Sequence, residues 1–240
     1  MPDPWLPGVH PTPNLQDNPD LYELENRALD PEGRLFAAMR AHADWAGRDV
    51  LDLGAGDGFW APHFHQTARH VFAMEPDDAS RLRAMARFAR LGLARTSALT
   101  GSAARILLPD DAVDLVHVRF AYFWGPGCEP GLAELARVLR PGGWAFIIDN
   151  DGTQGTFAAW LRAAAEHRGQ AFDPTAHEDF WRDQGFTTET VRSVWRFERR
   201  ADLEAVVRNE LRDPGLADRL LVDHEGLEVD YAFRLRRRCG

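Results

Sequence analysis

Val50-Leu51-Asp52-Leu53-Gly54-Ala55-Gly56-Asp57-Gly58 is the stretch whose reading decides the fold: a short apolar run, then glycine at every second place. The run reads as a strand that Gly54 ends. Glycine permits positive φ and lets a ligand approach the main chain without meeting a Cβ. In open α/β sheets, ligands gather at the carboxyl ends of the strands, where such a turn would lie. A second apolar run, residues 71–74, ends at Glu75, twenty-one residues after Gly54. A carboxylate in that place can accept both hydroxyls of a ribose.

Working outward, short apolar runs alternate with helical patterns. Residues 59–68 read as a helix, with Pro62 tolerated in its first turn. Asp77 or Asp78 offers an N-cap to a helix that places Leu82, Met85, Ala86, Ala89 and Leu93 on one face. Residues 95–99 form a weak third strand and 113–118 a clear fourth. Leu132, Leu135, Ala136 and Leu139 mark a helical stripe before Pro141-Gly142-Gly143, a turn that stops the helix and restarts the chain as a fifth strand over 144–148. Five strands alternating with helices predict an α/β fold with a doubly wound, mostly parallel sheet. Further on, 156–168, 176–184, 203–211 and 216–222 read as helices, and 186–197 and 227–235 as long strands.

Upstream, residues 1–19 hold six prolines (Pro2, Pro4, Pro7, Pro11, Pro13 and Pro19) and are expected to be an extended arm. Two helical pieces follow, marked by Leu21, Leu24 and Ala28 and by Leu35, Met39 and Trp45. The expected organisation is an N-terminal arm and helical lid over 1–46 and a cofactor-binding α/β domain over 47–240.

The sequence resembles the class I S-adenosylmethionine-dependent methyltransferase family, in its type 11, small-molecule branch. Four motifs carry the likeness: Asp52-Leu53-Gly54-Ala55-Gly56-Asp57-Gly58, Glu75, Leu108-Pro109-Asp110-Asp111-Ala112-Val113-Asp114-Leu115-Val116, and Arg137-Val138-Leu139-Arg140-Pro141-Gly142-Gly143. They stand in the family's order and spacing across residues 50–149. The resemblance implies a Rossmann-like sheet of seven strands closed by the pair 186–197 and 227–235. It also implies S-adenosylmethionine as cofactor, with Asp52, Gly54, Ala55, Gly56 and Gly58 beside its methionine end and Glu75 with Pro76 at its ribose. Ser102 and Ala103 follow Gly101 where relatives often carry Gly-Asp-Ala, whose acid receives the adenine amino group. Serine accepts that bond as a neutral group and more weakly. Arg119 is expected in the cofactor site, where it could instead hold a substrate carboxylate or form a surface salt bridge.

A sulfonium methyl is already electrophilic, so the protein mainly aligns an in-line nucleophile, and a base is needed only where a proton must leave early. Candidate bases are His117, Tyr122, Asp149 and His10. His117, which alternation turns into the sheet, reads as a satisfied core histidine ahead of a base. Tyr122, with Phe120, Phe123 and Trp124, reads as packing or as a substrate-facing aromatic wall. Asp149, Asn150 and Asp151 crowd the end of the fifth strand. No histidine, cysteine or carboxylate spacing indicates a metal: His63 and His65 do not share a helix face, and His177-Glu178 lacks a second histidine.

The net charge of −9 argues against nucleic acid or anionic membranes as partners and leaves a small-molecule substrate, with oligomeric state open. All 28 cationic side chains are arginine, so Schiff-base and lysine-base chemistry is excluded. Arg234, Arg236, Arg237 and Arg238 read as the solvated face and end of the last strand. Two cysteines without a short spacing, no leader-like start and no apolar run of bilayer length point to the cytoplasm. The arm and residues 198–226 would form lid and substrate wall. Two alternatives stay open: a nicotinamide-dependent oxidoreductase, for which Gly58 comes one place early, and a non-catalytic protein that binds S-adenosylmethionine.

Overall fold

A computed structural model describes residues 6–240; Pro2 and Pro4 of the expected arm lie outside the described residues. Seven strands form one sheet: β1 (Asp49–Leu53), β2 (His70–Met74), β3 (Thr96–Leu99), β4 (Val113–Arg119), β5 (Leu139–Asn150), β6 (Thr187–Arg196) and β7 (Glu228–Cys239). Their order is β3-β2-β1-β4-β5-β7-β6. The first five run parallel, and β7 lies antiparallel between β5 and β6. The order reverses between β1 and β4, so the carboxyl end of β1 opens at the switch point where ligands collect.

Alternate residues of each central strand enter different cores. Val50, Leu115, Phe146 and Ile148 belong to one, with α3 (Arg34–His42), α4 (Ala61–His65), α5 (Asp78–Leu91), α7 (Thr156–His167), α9 (Arg200–Leu211) and α10 (Pro214–Val222). Leu51, Leu53, Val116, Val118, Ala145 and Ile147 belong to the other, with α6 (Glu129–Val138) and Trp181 of α8 (Glu178–Asp183). Burial on both faces explains the near-continuous apolar runs. Each fully buried side chain contributes roughly 1.5–3 kcal/mol.

Four readings need correction. The proline-rich segment is not extended throughout: Pro13 and Pro19 open α1 (Pro13–Asp17) and α2 (Pro19–Ala28), where the missing N–H has no intrahelical partner in any case. In α5 the buried face is Ser80, Ala84 and Phe88, whereas Leu82 and Met85 are exposed. This helix packs on the short edge strand β3, so only a narrow stripe of it finds a partner. Pro141-Gly142-Gly143 lies inside β5, at a register shift between Val113 and Leu115 of β4, rather than before the strand. Arg234 and Arg236 are buried, because β7 is an inner strand. Arg234 donates to Asp151 at 3.0 Å, Glu178 at 2.8 Å and the Pro174 carbonyl at 2.6 Å.

The motifs at 108–116 and 137–143 meet at the end of the sheet opposite the glycine turn. Arg140 donates to Asp114 at 2.8 Å and to Asp49 at 3.1 Å, and Asp114 also accepts the Asp49 N–H at 2.8 Å. Arg137 donates to the Leu108 carbonyl at 2.8 Å and to Asp110 at 2.9 Å. These contacts fix the starts of β1, β4 and β5 relative to one another. Residues 28–45 share the core of the sheet through Ala28, Leu35, Phe36, Met39 and Trp45.

Candidate active site

The turn after β1 is shaped by its own chain. Gly54 has φ +74°, and a Cβ there would come 2.8 Å from the Cβ of Ala121, so the loop after β4 packs directly on it. The N–H groups of Gly54 and Ala55 both donate to the Met74 carbonyl, at 2.9 and 3.0 Å. That pairing brings the end of β2, and with it Glu75, against the turn. The Glu75 carboxylate accepts the Gly56 N–H and the Asp77 N–H, each at 2.9 Å. Burial raises its pKa to about 7, against the lowering effect of those two donors. A carboxylate offers about four acceptor positions, so lone pairs remain on the cavity side.

A cavity of about 190 Å³ opens here. Gly54, Gly56, Glu75, Pro76, Ser102, Ala103, Arg119 and Tyr122 of the expected set line it, as does His10. Residues 8–16 and Tyr22 form its outer wall. The cover is therefore drawn from the arm, α1 and one α2 side chain. Ser102, nearly fully buried, donates its hydroxyl proton to the Pro7 carbonyl at 2.7 Å, which ties the arm to this side of the cavity and leaves the serine oxygen free to accept. On the other side Asn14 donates to Glu210 at 2.6 Å and Asn18 to Asn209 at 2.9 Å, both on α9.

Five expected site residues do not line the cavity. Asp52 is buried and accepts from His117 Nδ1 at 2.8 Å. His117 is fully buried with Phe64 and Phe36 at 5.1 and 6.1 Å, so it has no route to an acceptor and belongs to the core. Ala55 packs on the core, and its N–H already serves Met74. Gly58 makes room for α5: a Cβ there would meet Phe88 at 2.5 Å. Asp149 pairs across the ladder with Arg234, and burial pushes its carboxyl up; Asp151 beside it is bound to Arg234 and Thr190.

The segment after β4 supplies the aromatic wall. Phe120 and Tyr122 take positive φ, +53° and +58°, which costs of order 1–3 kcal/mol each and recurs where a site over-determines its backbone. His10 lies against the rings of Trp124 and Tyr122, at 5.0 and 6.2 Å. Burial pushes the Tyr122 phenol up. Asp77, Phe120 and Trp124 also line it, as Tyr22 does. In the sequence Asp77 carries only the signal of a helix cap, a role it also fills by accepting the Ser80 N–H at 2.8 Å, and Tyr22 carries none. Among the described residues, no three His, Cys, Asp or Glu side chains group as a metal site, and no helix is long and apolar enough to cross a membrane.

A family profile described as a methyltransferase domain matches residues 50–143, which hold the glycine turn, Glu75 and the Pro141-Gly142-Gly143 turn. Residues 50–143 thus match a methyltransferase domain, set in the sheet order described above. It is similar to an uncharacterized methyltransferase of Mycobacterium tuberculosis, 37% identical over 137 residues, covering 55% of this chain and 52% of that protein. A malonyl-[acyl-carrier protein] O-methyltransferase of Pectobacterium atrosepticum is 33% identical over 143 residues, covering 59% and 53%. The chain thus spans about half the length of these curated relatives. Among solved structures, YjhP of E. coli superposes with a TM-score of 0.61 at 17% identity, covering 90% of this chain and 97% of that one. A SAM-dependent methyltransferase of Aquifex aeolicus superposes at 0.53 with 20% identity, covering 92% and 94%. At such identity these neighbours speak for the fold.

Proposed function

We propose that the chain moves a methyl group from S-adenosylmethionine to a small-molecule acceptor by in-line displacement. The observation that carries this reading is the Glu75 carboxylate, buried at the cavity wall beside the Gly54–Gly56 turn with acceptor positions left over. When bound, the cofactor supplies a methyl group activated by its sulfonium. Glu75 accepts the ribose hydroxyls, Ser102 accepts from the adenine amino group, and the turn at Gly54 and Gly56 gives the amino-acid end room against the main chain. Pro76 and Ala103 flank the nucleoside.

Residues 8–16 close over the cavity and exclude water, and the wall of Tyr122, Trp124 and His10 orients the acceptor. Such orientation can supply on the order of 7–11 kcal/mol of the barrier. Of the candidate bases, His10 and Tyr122 line the cavity. A concave cavity walled by residues 8–16 suits a small acceptor better than a polymer. The free thiols Cys128 and Cys239 suit a reducing cytoplasm.

Calorimetric titration with S-adenosylhomocysteine tests the reading. Wild type should bind, and Glu75→Ala should bind at least about tenfold more weakly. Equal binding by both removes Glu75 from the site. Binding of NADPH in place of S-adenosylhomocysteine overturns the reading.

A further inference from the structure

Arg119 closes β4 with only 8% of its surface exposed, and it lines the cavity. Its Nε, Nη1 and Nη2 find no hydrogen-bond partner among the described residues. The guanidinium lies over Trp60 at 4.0 Å and near Phe120 and Phe233, each at 5.1 Å from the ring centre. The other buried arginines among the described residues are matched by acids: Arg234 by Asp151 and Glu178, and Arg236 by Glu178 at 3.2 Å. Arg119 has no such acid bound to it.

The acids around it are otherwise engaged. Asp30 accepts the N–H groups of Arg34 at 3.1 Å and Leu35 at 2.9 Å, and the Ser193 hydroxyl at 2.6 Å. Glu25 is buried beside Glu210, and both burial and that neighbour push its carboxyl up, so it tends to stay neutral. Guanidinium does not shed its proton in proteins, and an isolated buried cation is strongly unfavourable. The aromatic rings attract the charge but offer no lone pairs to its five N–H donors. A planar anion that accepts two of them in parallel is the matching partner.

We propose that Arg119 binds a carboxylate carried by the ligand of this cavity. The proposal rests on the methyl-transfer reading for what the cavity holds. The charge lies on the side of β4 and β7, across β1 from Glu75 at the end of β2. Either a carboxylate acceptor or the amino-acid end of the cofactor would fall there, and the same chemistry recognises both.

Two arms of one experiment separate the sources, with wild type, Arg119→Met and the charge-keeping Arg119→Lys, which serves also if the Met variant does not fold. The first arm titrates S-adenosylhomocysteine and 5′-methylthioadenosine, which lacks the amino-acid tail. The second titrates hexanoate and benzoate against hexanamide and benzamide near neutral pH, followed by tryptophan fluorescence, with and without S-adenosylhomocysteine. A loss of about tenfold or more by Arg119→Met for S-adenosylhomocysteine, with 5′-methylthioadenosine unchanged, supports the proposal with the cofactor as source. Unchanged nucleoside binding, with a preference of wild type for acids over amides that Arg119→Met loses, supports it with the acceptor as source. The proposal is overturned if Arg119→Met binds S-adenosylhomocysteine as wild type does and wild type does not distinguish acids from amides. If wild type binds neither nucleoside, the methyl-transfer reading fails instead, and the acid and amide titrations without cofactor alone decide Arg119.

Discussion

The hydroxyl of Ser102 donates to the carbonyl of Pro7 at 2.7 Å. A side chain of the cavity wall thus also fastens the segment that covers it, and the proposed nucleoside binding would be linked to the position of the arm. Ser102→Ala removes a hydrogen bond worth about 1 kcal/mol. Release of S-adenosylhomocysteine, followed by stopped-flow fluorescence, should quicken about fivefold. An unchanged rate would separate the arm from ligand exchange.

Glu75 couples binding to pH. Its carboxyl is held at about 7 by burial, above its ordinary 4.5. Between those two values the folded chain keeps a proton that the unfolded chain has lost, so this group's contribution to stability falls as pH rises and levels off above about 7. The loss amounts to roughly 3 kcal/mol. Glu75→Gln should melt higher than wild type above that pH, yet bind S-adenosylhomocysteine more weakly. Ribose recognition by wild type should strengthen as pH rises through about 7, because it uses the ionised form. Calorimetry across this range checks both slopes.

Gly58→Ala should act on stability and leave binding alone. The added Cβ meets Phe88 at 2.5 Å with φ at +75°. Overpacking and backbone strain together amount to about 2–4 kcal/mol. A lowered denaturation midpoint is expected, with S-adenosylhomocysteine affinity of the folded fraction within about threefold of wild type. A large loss of affinity would return Gly58 to the cofactor site.

His117→Asn is expected to keep the pH profile of methyl transfer, since the imidazole is sealed under α4 against Asp52. Weakening the partner of a buried carboxylate costs roughly 1–3 kcal/mol. The melting temperature should fall while the profile keeps its shape. Loss of one limb of that profile would restore His117 as a base.

Much of this molecule was legible where local rules suffice. The strand ending at Leu53, the acid at 75 and the cap at Asp77 follow from runs a few residues long. The seven-strand closure was read from family likeness, and the antiparallel place of β7 bears it out. What could not be read depends on contacts distant in sequence. Alternation in β7 suggests a wet arginine face, yet insertion between β5 and β6 buries Arg234 and Arg236. Leu82 and Met85 look like a core stripe, but α5 lies at the sheet's edge and presents Ala84 and Phe88 instead. At the site, Phe120 and Tyr122 have positive φ, so strand alternation does not forecast which of residues 120–124 face the ligand. Trp124 and Tyr122 line the cavity while Phe123 is core.

The arm's moorings differ on its two banks. Toward α9 it is held by Asn14 and Asn18, and toward Ser102 the Pro7 carbonyl is a mooring among the described residues. Loosening that contact favours movement of the near bank while α1 stays anchored to the far one. Passage of a ligand would then resemble a door swinging on a hinge near Asn14, with no helix having to melt for the threshold to clear.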